Sequence, residues 1–175
     1  MWRLAWAVVT VSAVLACIIA LPVAPVESAW WRFSIRVSED LREEIGWKEM
    51  VETVAKVRDS LPAVDRGRLA VLTANHGEAG AIDLYGGAYG LPPAISRVNS
   101  FGERGYGEPP PETLIVAGFP QAYLAMHFAS CRLAARVWNR YGVANQETTR
   151  FPNVFVCQGL RESWPEFWRE LPHYA

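Results

Sequence analysis

An uncharged apolar run near the start of the chain constrains its fold more than any other feature. Leu4–Leu21 has no charged side chain, and its only polar groups are two hydroxyls. As a helix, these 18 residues extend about 27 Å, the hydrocarbon thickness of a bilayer. Pro22 follows directly, and proline ends a helix because it lacks an N–H and clashes with the preceding turn. The run therefore predicts one transmembrane helix within residues 1–24.

A cleaved signal peptide is the alternative interpretation of this segment. Arg3 provides the short basic start of such a peptide. Pro-Val-Ala (22–24) and Glu-Ser-Ala (27–29) are the two sites at which the chain could be cut after the alanine. The apolar run is longer than the core of about 7–15 residues found in signal peptides, which favours the transmembrane helix. One basic residue before the helix does not decide its orientation in the membrane.

The rest of the chain predicts one domain of alternating strands and helices. A chain of 175 residues suits a single domain. We divide it into the transmembrane helix (1–24), a connector (25–44) and a soluble domain (45–175). The predicted strands are residues 68–73, 94–98, 113–117, 132–138 and 153–157, and the predicted helices are residues 47–60, 74–85, 121–128 and 164–171. Such alternation favours an α/β fold, a small three-layer sandwich with a mostly parallel sheet of about five strands.

Charge and cysteine content narrow the possible functions. The net charge is −1, from 17 basic and 18 acidic residues with interspersed signs, so we expect no nucleic-acid partner. The histidines at positions 76, 127 and 173 lack metal-ligand spacing, and no serine lies in a nucleophile elbow. We therefore predict no catalytic residue, no metal site and no cofactor. Cys131 and Cys157 leave two alternatives open, namely two buried thiols or a disulfide outside the cytoplasm.

The stretch Thr73–Ala81 (TANHGEAGA) contains the residues best suited to bind a ligand. It follows a predicted strand and opens a helix, and ligands of open α/β sheets collect beyond the carboxyl ends of strands. We expect Asn75, His76 and Glu78 to lie at that edge. Asn99 opens a second glycine-rich loop and is a further candidate. Because Glu78 would compete with an anion at the helix N-terminus, this set suits hydroxyl-rich ligands better than phosphates.

A structural role for the same residues stays open. Asn75 can cap the helix, and Glu78 stands three residues later, where it can complete a capping box. Asn99 can likewise be a turn former.

These residues also show a family resemblance. The strings NHGEAGAIDLYG (75–86) and YGLPP (89–93), with Asn99 and Ser100, resemble a block in bacterial membrane glycosyltransferases of family 39. Relatives of these enzymes include the protein O-mannosyltransferases and the lipid A aminoarabinose transferases. In that family the block lies in a soluble domain after the last transmembrane helix. Gly46-Trp47, residues 115–118 and residues 156–157 with the Trp-rich end fit the same pattern, so the resemblance covers nearly the whole chain.

The chain departs from this family in three ways. Tyrosine is usual where His76 stands. The family has an aromatic Tyr-Trp-x-Trp-Gly stretch after the Asn-Ser pair, where this chain has FGERGYG (101–107). The large membrane core, with its catalytic acidic residues and its site for a polyprenyl-phosphate sugar, is missing. No catalytic residue carries over, and the chain resembles a detached C-terminal piece.

The resemblance implies an extracytoplasmic accessory domain of a membrane glycosyltransferase, which binds or positions an acceptor glycan and is not active alone. The implied partners are the bilayer through residues 4–21, a multi-span glycosyltransferase core, and a glycan or polyprenyl-linked sugar. The implied location is the inner membrane, with the domain in the periplasm, where Cys131 and Cys157 are a disulfide candidate. The alternative is a membrane-anchored interaction module without a small ligand. A free-standing hydrolase or transferase is disfavoured by the missing nucleophile and metal patterns.

Overall fold

The chain forms eight α-helices and five β-strands over residues 2–21 and 24–171, the part that its computed structural model describes. The helices are α1 (Trp2–Ala20), α2 (Ala29–Val37), α3 (Trp47–Ser60), α4 (Ala63–Arg66), α5 (His76–Tyr85), α6 (Gln121–His127), α7 (Gln146–Thr149) and α8 (Trp164–Glu170). The strands are β1 (Leu69–Thr73), β2 (Ala94–Ile95), β3 (Thr113–Ala117), β4 (Phe128–Arg136) and β5 (Asn153–Leu160). Short 3-10 helices span Glu39–Arg42, Gly86–Tyr89 and Asn99–Arg104.

The helix α1 covers most of the apolar run and leaves large apolar side chains, such as Trp2, Leu4 and Trp6, exposed. Within residues 2–21 and 24–171, however, no helix combines the length and the apolar character needed to cross a membrane. The predicted transmembrane helix is therefore not found. Pro22, predicted to end that helix, lies outside the described residues.

The predicted connector is largely helical. It contains α2, whose start is capped by the Ser28 hydroxyl, which accepts a hydrogen bond from the Trp31 N–H at 3.0 Å. Trp31 is buried, and the 3-10 helix that follows α2 buries Leu41. The connector thus contributes packed structure of its own.

The five strands form one mixed sheet in the order β2-β1-β3-β5-β4. β1 pairs in parallel with β2 and β3, whereas β5 pairs antiparallel with β3 and β4. The prediction of a mostly parallel sheet is therefore wrong. Neighbouring parallel strands are usually joined by a crossover helix that carries the chain back along the sheet. Residues 137–152, a fully described stretch, join β4 to β5 and hold only the four-residue helix α7, so the chain turns back and pairs antiparallel.

Helices cover both faces of the sheet and give three layers. α3 and α5 pack on one face, and α6 and α8 pack on the other. Because side chains alternate along a strand, neighbouring residues supply different cores. Val71 and Ile115 lie in the first core, and Leu72 and Val116 lie in the second.

A disulfide joins the two antiparallel strands at one side of the sheet. Cys131 of β4 and Cys157 of β5 are directly paired, with their Cα atoms 4.1 Å apart. Of the two alternatives that the sequence left open, the structure has the disulfide. Cys17 is exposed and free.

Candidate functional site

The turn between β1 and α5 holds three of the four residues predicted to bind a ligand. The Asn75 side-chain oxygen accepts a hydrogen bond from the Glu78 N–H at 2.8 Å. In return, the Glu78 carboxylate accepts from the N–H groups of Ala74 and Asn75, at 2.9 and 3.2 Å. This is the capping box that the sequence left open as a structural role. Asn75 and Glu78 therefore hold the start of α5 in place.

The other two candidates stand apart from this pair. His76 is exposed in the first turn of α5. Asn99 is exposed after β2 and has a φ of +52°, a backbone conformation that asparagine tolerates better than most residues. Over residues 2–21 and 24–171, neither side chain forms a hydrogen bond that links it to Asn75 or Glu78. The structure thus places three of the four candidates in one turn, but links only Asn75 and Glu78 by hydrogen bonds.

Glu78 is the most strongly perturbed acid at this edge of the sheet. It is only 3% exposed, and burial raises its pKa to about 7, although two backbone N–H groups favour the charged form. Glu147 of α7 lies close enough for its charge to raise the pKa of Glu78 further. Burial and the charge of Glu43 in turn raise the pKa of Glu147. These glutamates come from three distant parts of the sequence, so no local motif predicts their encounter.

Gly118, directly after β3, allows Glu78 to be buried. Its φ is +80°, and a Cβ at this position would collide with both carboxylate oxygens of Glu78. Only glycine combines this backbone conformation with so close an approach.

A pocket of about 320 Å³ lies next to the turn and adjoins the start of α3. Its lining consists of Glu44, Ile45, Gly46, Trp47, Lys48, Glu49, Tyr85, Arg140 and Tyr141. Trp47 connects the pocket to the turn, because a Cβ on Gly77 would come within 2.8 Å of the indole ring. Gly77 therefore gives the ring its room. We call this cavity the Trp47 pocket.

The Trp47 pocket contains one ion pair, between Glu49 and Arg140, and two further charged side chains, Glu44 and Lys48. Glu49, only 6% exposed, accepts a hydrogen bond from the Arg140 guanidinium. Burial alone raises the pKa of Glu49, but the hydrogen bonds and charge of Arg140 outweigh it and hold the pKa below its usual value. The Lys48 ammonium lies 5.5 Å from the centre of the Tyr85 ring. The pocket thus offers both signs of charge together with aromatic rings.

This set of groups is suited to binding. The lining contains no serine, threonine or cysteine, and its side-chain hydroxyls are those of Tyr85 and Tyr141. A larger pocket of about 390 Å³ lies at the amino ends of β1 and β2, between loops. Ligands of open α/β sheets collect at the carboxyl ends instead, where the Trp47 pocket adjoins the turn after β1.

Sequence reasoning missed most of the Trp47 pocket. The sequence predicts Trp47 as the first residue of a helix and as part of the family resemblance, but not as a ligand-binding residue. Arg140 and Tyr141 lie in a loop without any recognisable motif. The available signal was the Gly46-Trp47 pair, which belongs to the family resemblance.

The fold and the site define a mixed α/β domain with a small polar and aromatic pocket near the carboxyl end of a parallel strand. Comparison with protein-family models, with curated proteins and with solved structures gives no match. The resemblance to family 39 glycosyltransferases stays a prediction.

Proposed function

We propose that this chain is a sugar-binding accessory domain of a membrane glycosyltransferase system of the family 39 kind, working outside the cytoplasm. The Trp47 pocket supports the proposal most directly. A sugar presents apolar C–H faces and many hydroxyls, so its site needs aromatic surface for the faces and polar groups for the hydroxyls. Trp47, Tyr85 and Tyr141 supply the rings, and the Glu49–Arg140 pair supplies polar groups.

The charge pattern favours a neutral, hydroxyl-rich ligand over a phosphate. A phosphate site needs cations that are free to pair with it. Arg140 is already paired with Glu49, and the carboxylates of Glu44 and Glu49 in the lining would repel a phosphate that approached Lys48. The acceptor glycan, or the sugar part of a polyprenyl-linked donor, fits this pattern better than the donor's phosphate.

In this proposal Asn75 and Glu78 act by positioning. They hold the start of α5, and Gly77 of that first turn packs against the Trp47 ring. Direct contacts of Asn75, His76, Glu78 or Asn99 with a sugar stay predictions.

The disulfide supports the proposed location, because structural disulfides persist in oxidising compartments such as the bacterial periplasm. Anchoring in the inner membrane and contact of residues 4–21 with the bilayer stay predictions. A multi-span glycosyltransferase core is the proposed partner.

The apolar side chains exposed along α1 favour a second candidate function. In that case the chain is an interaction module that docks on a multi-span membrane protein and has no small ligand. Co-purification with such a protein, combined with an absence of sugar binding, is the result that favours this candidate.

A glycan array probed with the full chain, followed by calorimetric titration of the best sugar, tests the proposal. The detergent that keeps α1 in solution must lack a sugar headgroup, since such a group would compete for the pocket. We expect Tyr141→Ala to weaken binding about fivefold, because one aromatic contact contributes about 1 kcal/mol. Trp138→Ala is the matched control, since Trp138 is 50% exposed and Tyr141 47%, but Trp138 does not line the pocket. No bound sugar, or an equal loss in both variants, contradicts the proposal.

A further inference from the structure

Three potential metal ligands converge on the side of the sheet covered by α6 and α8. A ring nitrogen of His127 and one carboxylate oxygen from each of Glu162 and Glu170 lie within 4.8 Å of one another. The His127 Nδ1 atom is 2.5 Å from the Glu162 Oε1 atom. The side chains of His127 and Glu162 are only 12% and 25% exposed, so two of the three groups are partly withdrawn from water.

An unpartnered hydroxyl lies beside these groups. The Tyr123 Oη atom is buried and has no hydrogen-bond partner among the described residues. The Tyr123 and His127 rings have centroids 4.4 Å apart. Leaving a buried hydroxyl without a partner costs about 1–3 kcal/mol, so we expect a further group at this place.

We propose that His127, Glu162 and Glu170 bind one divalent transition-metal ion, for which zinc is the best match. Zinc accepts imidazole nitrogen and carboxylate oxygen at about 2.0–2.2 Å in tetrahedral sites. Ligand atoms in such a site are about 3.3 Å apart, so atoms that already lie within 4.8 Å need only small side-chain rotations. The two carboxylates neutralise the charge of the ion. A water in the fourth position can accept a hydrogen bond from the Tyr123 hydroxyl.

The ion would connect three separate parts of the fold. His127 is the last residue of α6, Glu162 follows β5, and Glu170 is the last residue of α8. Because these three residues come together only in the folded chain, zinc binding stabilises the folded state by mass action.

The ligands lie 35 and 8 positions apart in the sequence, and only one of them is a histidine. For this reason the sequence shows no recognisable ligand spacing. His173 lies outside the described residues. The site is on the opposite face of the sheet from the Trp47 pocket and does not depend on the proposed function.

Zinc titration of the full chain tests the proposal. The protein for this titration is prepared without a histidine tag and with Cys17→Ser, so that neither a tag nor the free thiol competes for zinc. It is first stripped of metal with a chelator. We expect one zinc ion per chain by calorimetry and a higher Tm when zinc is added. Glu170→Gln should weaken zinc binding more than tenfold and abolish the rise in Tm.

Glu166→Gln is the matched control on the same helix. Glu166 accepts hydrogen bonds from Ser163 in the cap of α8, and glutamine keeps an oxygen for them, so the zinc response should equal that of the parent chain. Glu170 is exposed, so we expect Glu170→Gln to fold like the parent chain. The test therefore does not depend on His127→Ala, a change at a partly buried side chain that could prevent folding. Absence of zinc binding by the parent chain, or an equal affinity in Glu170→Gln, overturns the proposal.

Discussion

Glu78 opposes folding when it is ionised. Its pKa is raised from 4.5 to about 7 in the folded chain, so the folded state retains a proton that the unfolded state has lost. The contribution of Glu78 to the free energy of unfolding is therefore greatest below about pH 4.5 and is lost as the pH rises to about 7. A shift of this size corresponds to a loss of about 3 kcal/mol.

We predict that Glu78→Gln removes most of this pH dependence. Glutamine keeps an oxygen acceptor for the backbone N–H groups of Ala74 and Asn75, but it has no proton to lose. Urea unfolding at pH 5 and pH 8 measures the effect. The parent chain should lose stability between the two values, whereas the variant should change much less. Glu147 has a raised pKa as well, so Glu147→Gln added to the first change should flatten the remaining slope. An unchanged slope in Glu78→Gln would contradict the prediction.

The residues of the candidate site differ in how far they could be predicted. The Asn75–Glu78 capping box follows a local motif, and the sequence therefore offered it as an alternative. The contact between Glu78 and Gly118, and the charge of Glu147 nearby, depend on tertiary structure. No periodicity or spacing encodes contacts between such distant positions. For the same reason, the sequence did not predict that Arg140 lines the pocket.

At the scale of elements, α5 contains two glycines, of which Gly77 is crowded by a neighbouring side chain and Gly80 is not. A Cβ at Gly77 would come within 2.8 Å of the Trp47 ring, whereas a Cβ at Gly80 would meet nothing within 4 Å. Alanine is favoured over glycine inside a helix by about 1 kcal/mol. Gly80→Ala should therefore stabilise the chain by up to about 1 kcal/mol and leave sugar binding unchanged.

Gly77→Ala should behave differently from Gly80→Ala. Its added methyl group displaces the Trp47 ring, so the gain from helix propensity is offset and sugar binding weakens. Urea unfolding and calorimetric titration of both variants check this pair of expectations. If the two variants gain equal stability and keep equal affinity, Gly77 does not position the ring.

The type of most elements could be predicted, but the direction of β5 could not. The apolar spacing of α3 and the apolar run of β3 determine a helix and a strand, and both predicted ranges are confirmed. β4 keeps the direction of the parallel strands, whereas β5 runs the opposite way. The direction of β5 depends on its connection to β4, which holds only the four-residue helix α7 in its described residues 137–152. Alternation of helices and strands earlier in the chain suggested parallel pairing throughout, and that generalisation failed at β5.

At the scale of the whole molecule, the disulfide closes a loop with a sequence separation of 26 residues. A cross-link of this span stabilises a fold by about 3 kcal/mol, chiefly through the unfolded state. We predict that dithiothreitol lowers the free energy of unfolding by that amount in the Cys17→Ser background. The variant with both Cys131→Ser and Cys157→Ser is the control, because it should be as unstable as the reduced chain and insensitive to the reductant. Unfolding curves that coincide with and without reductant would contradict this expectation.

The central claim is that the Trp47 pocket binds a sugar, and the indole N–H signals of the eight tryptophans test it most directly. The Trp47 signal is assigned by its loss in Trp47→Phe, and the Trp138 signal by its loss in Trp138→Phe. The full chain is then titrated with the best sugar from the array and followed by nuclear magnetic resonance. We predict that the Trp47 signal shifts in a saturable manner while the Trp138 signal stays in place. A Trp47 signal that does not move at any sugar concentration would contradict the claim.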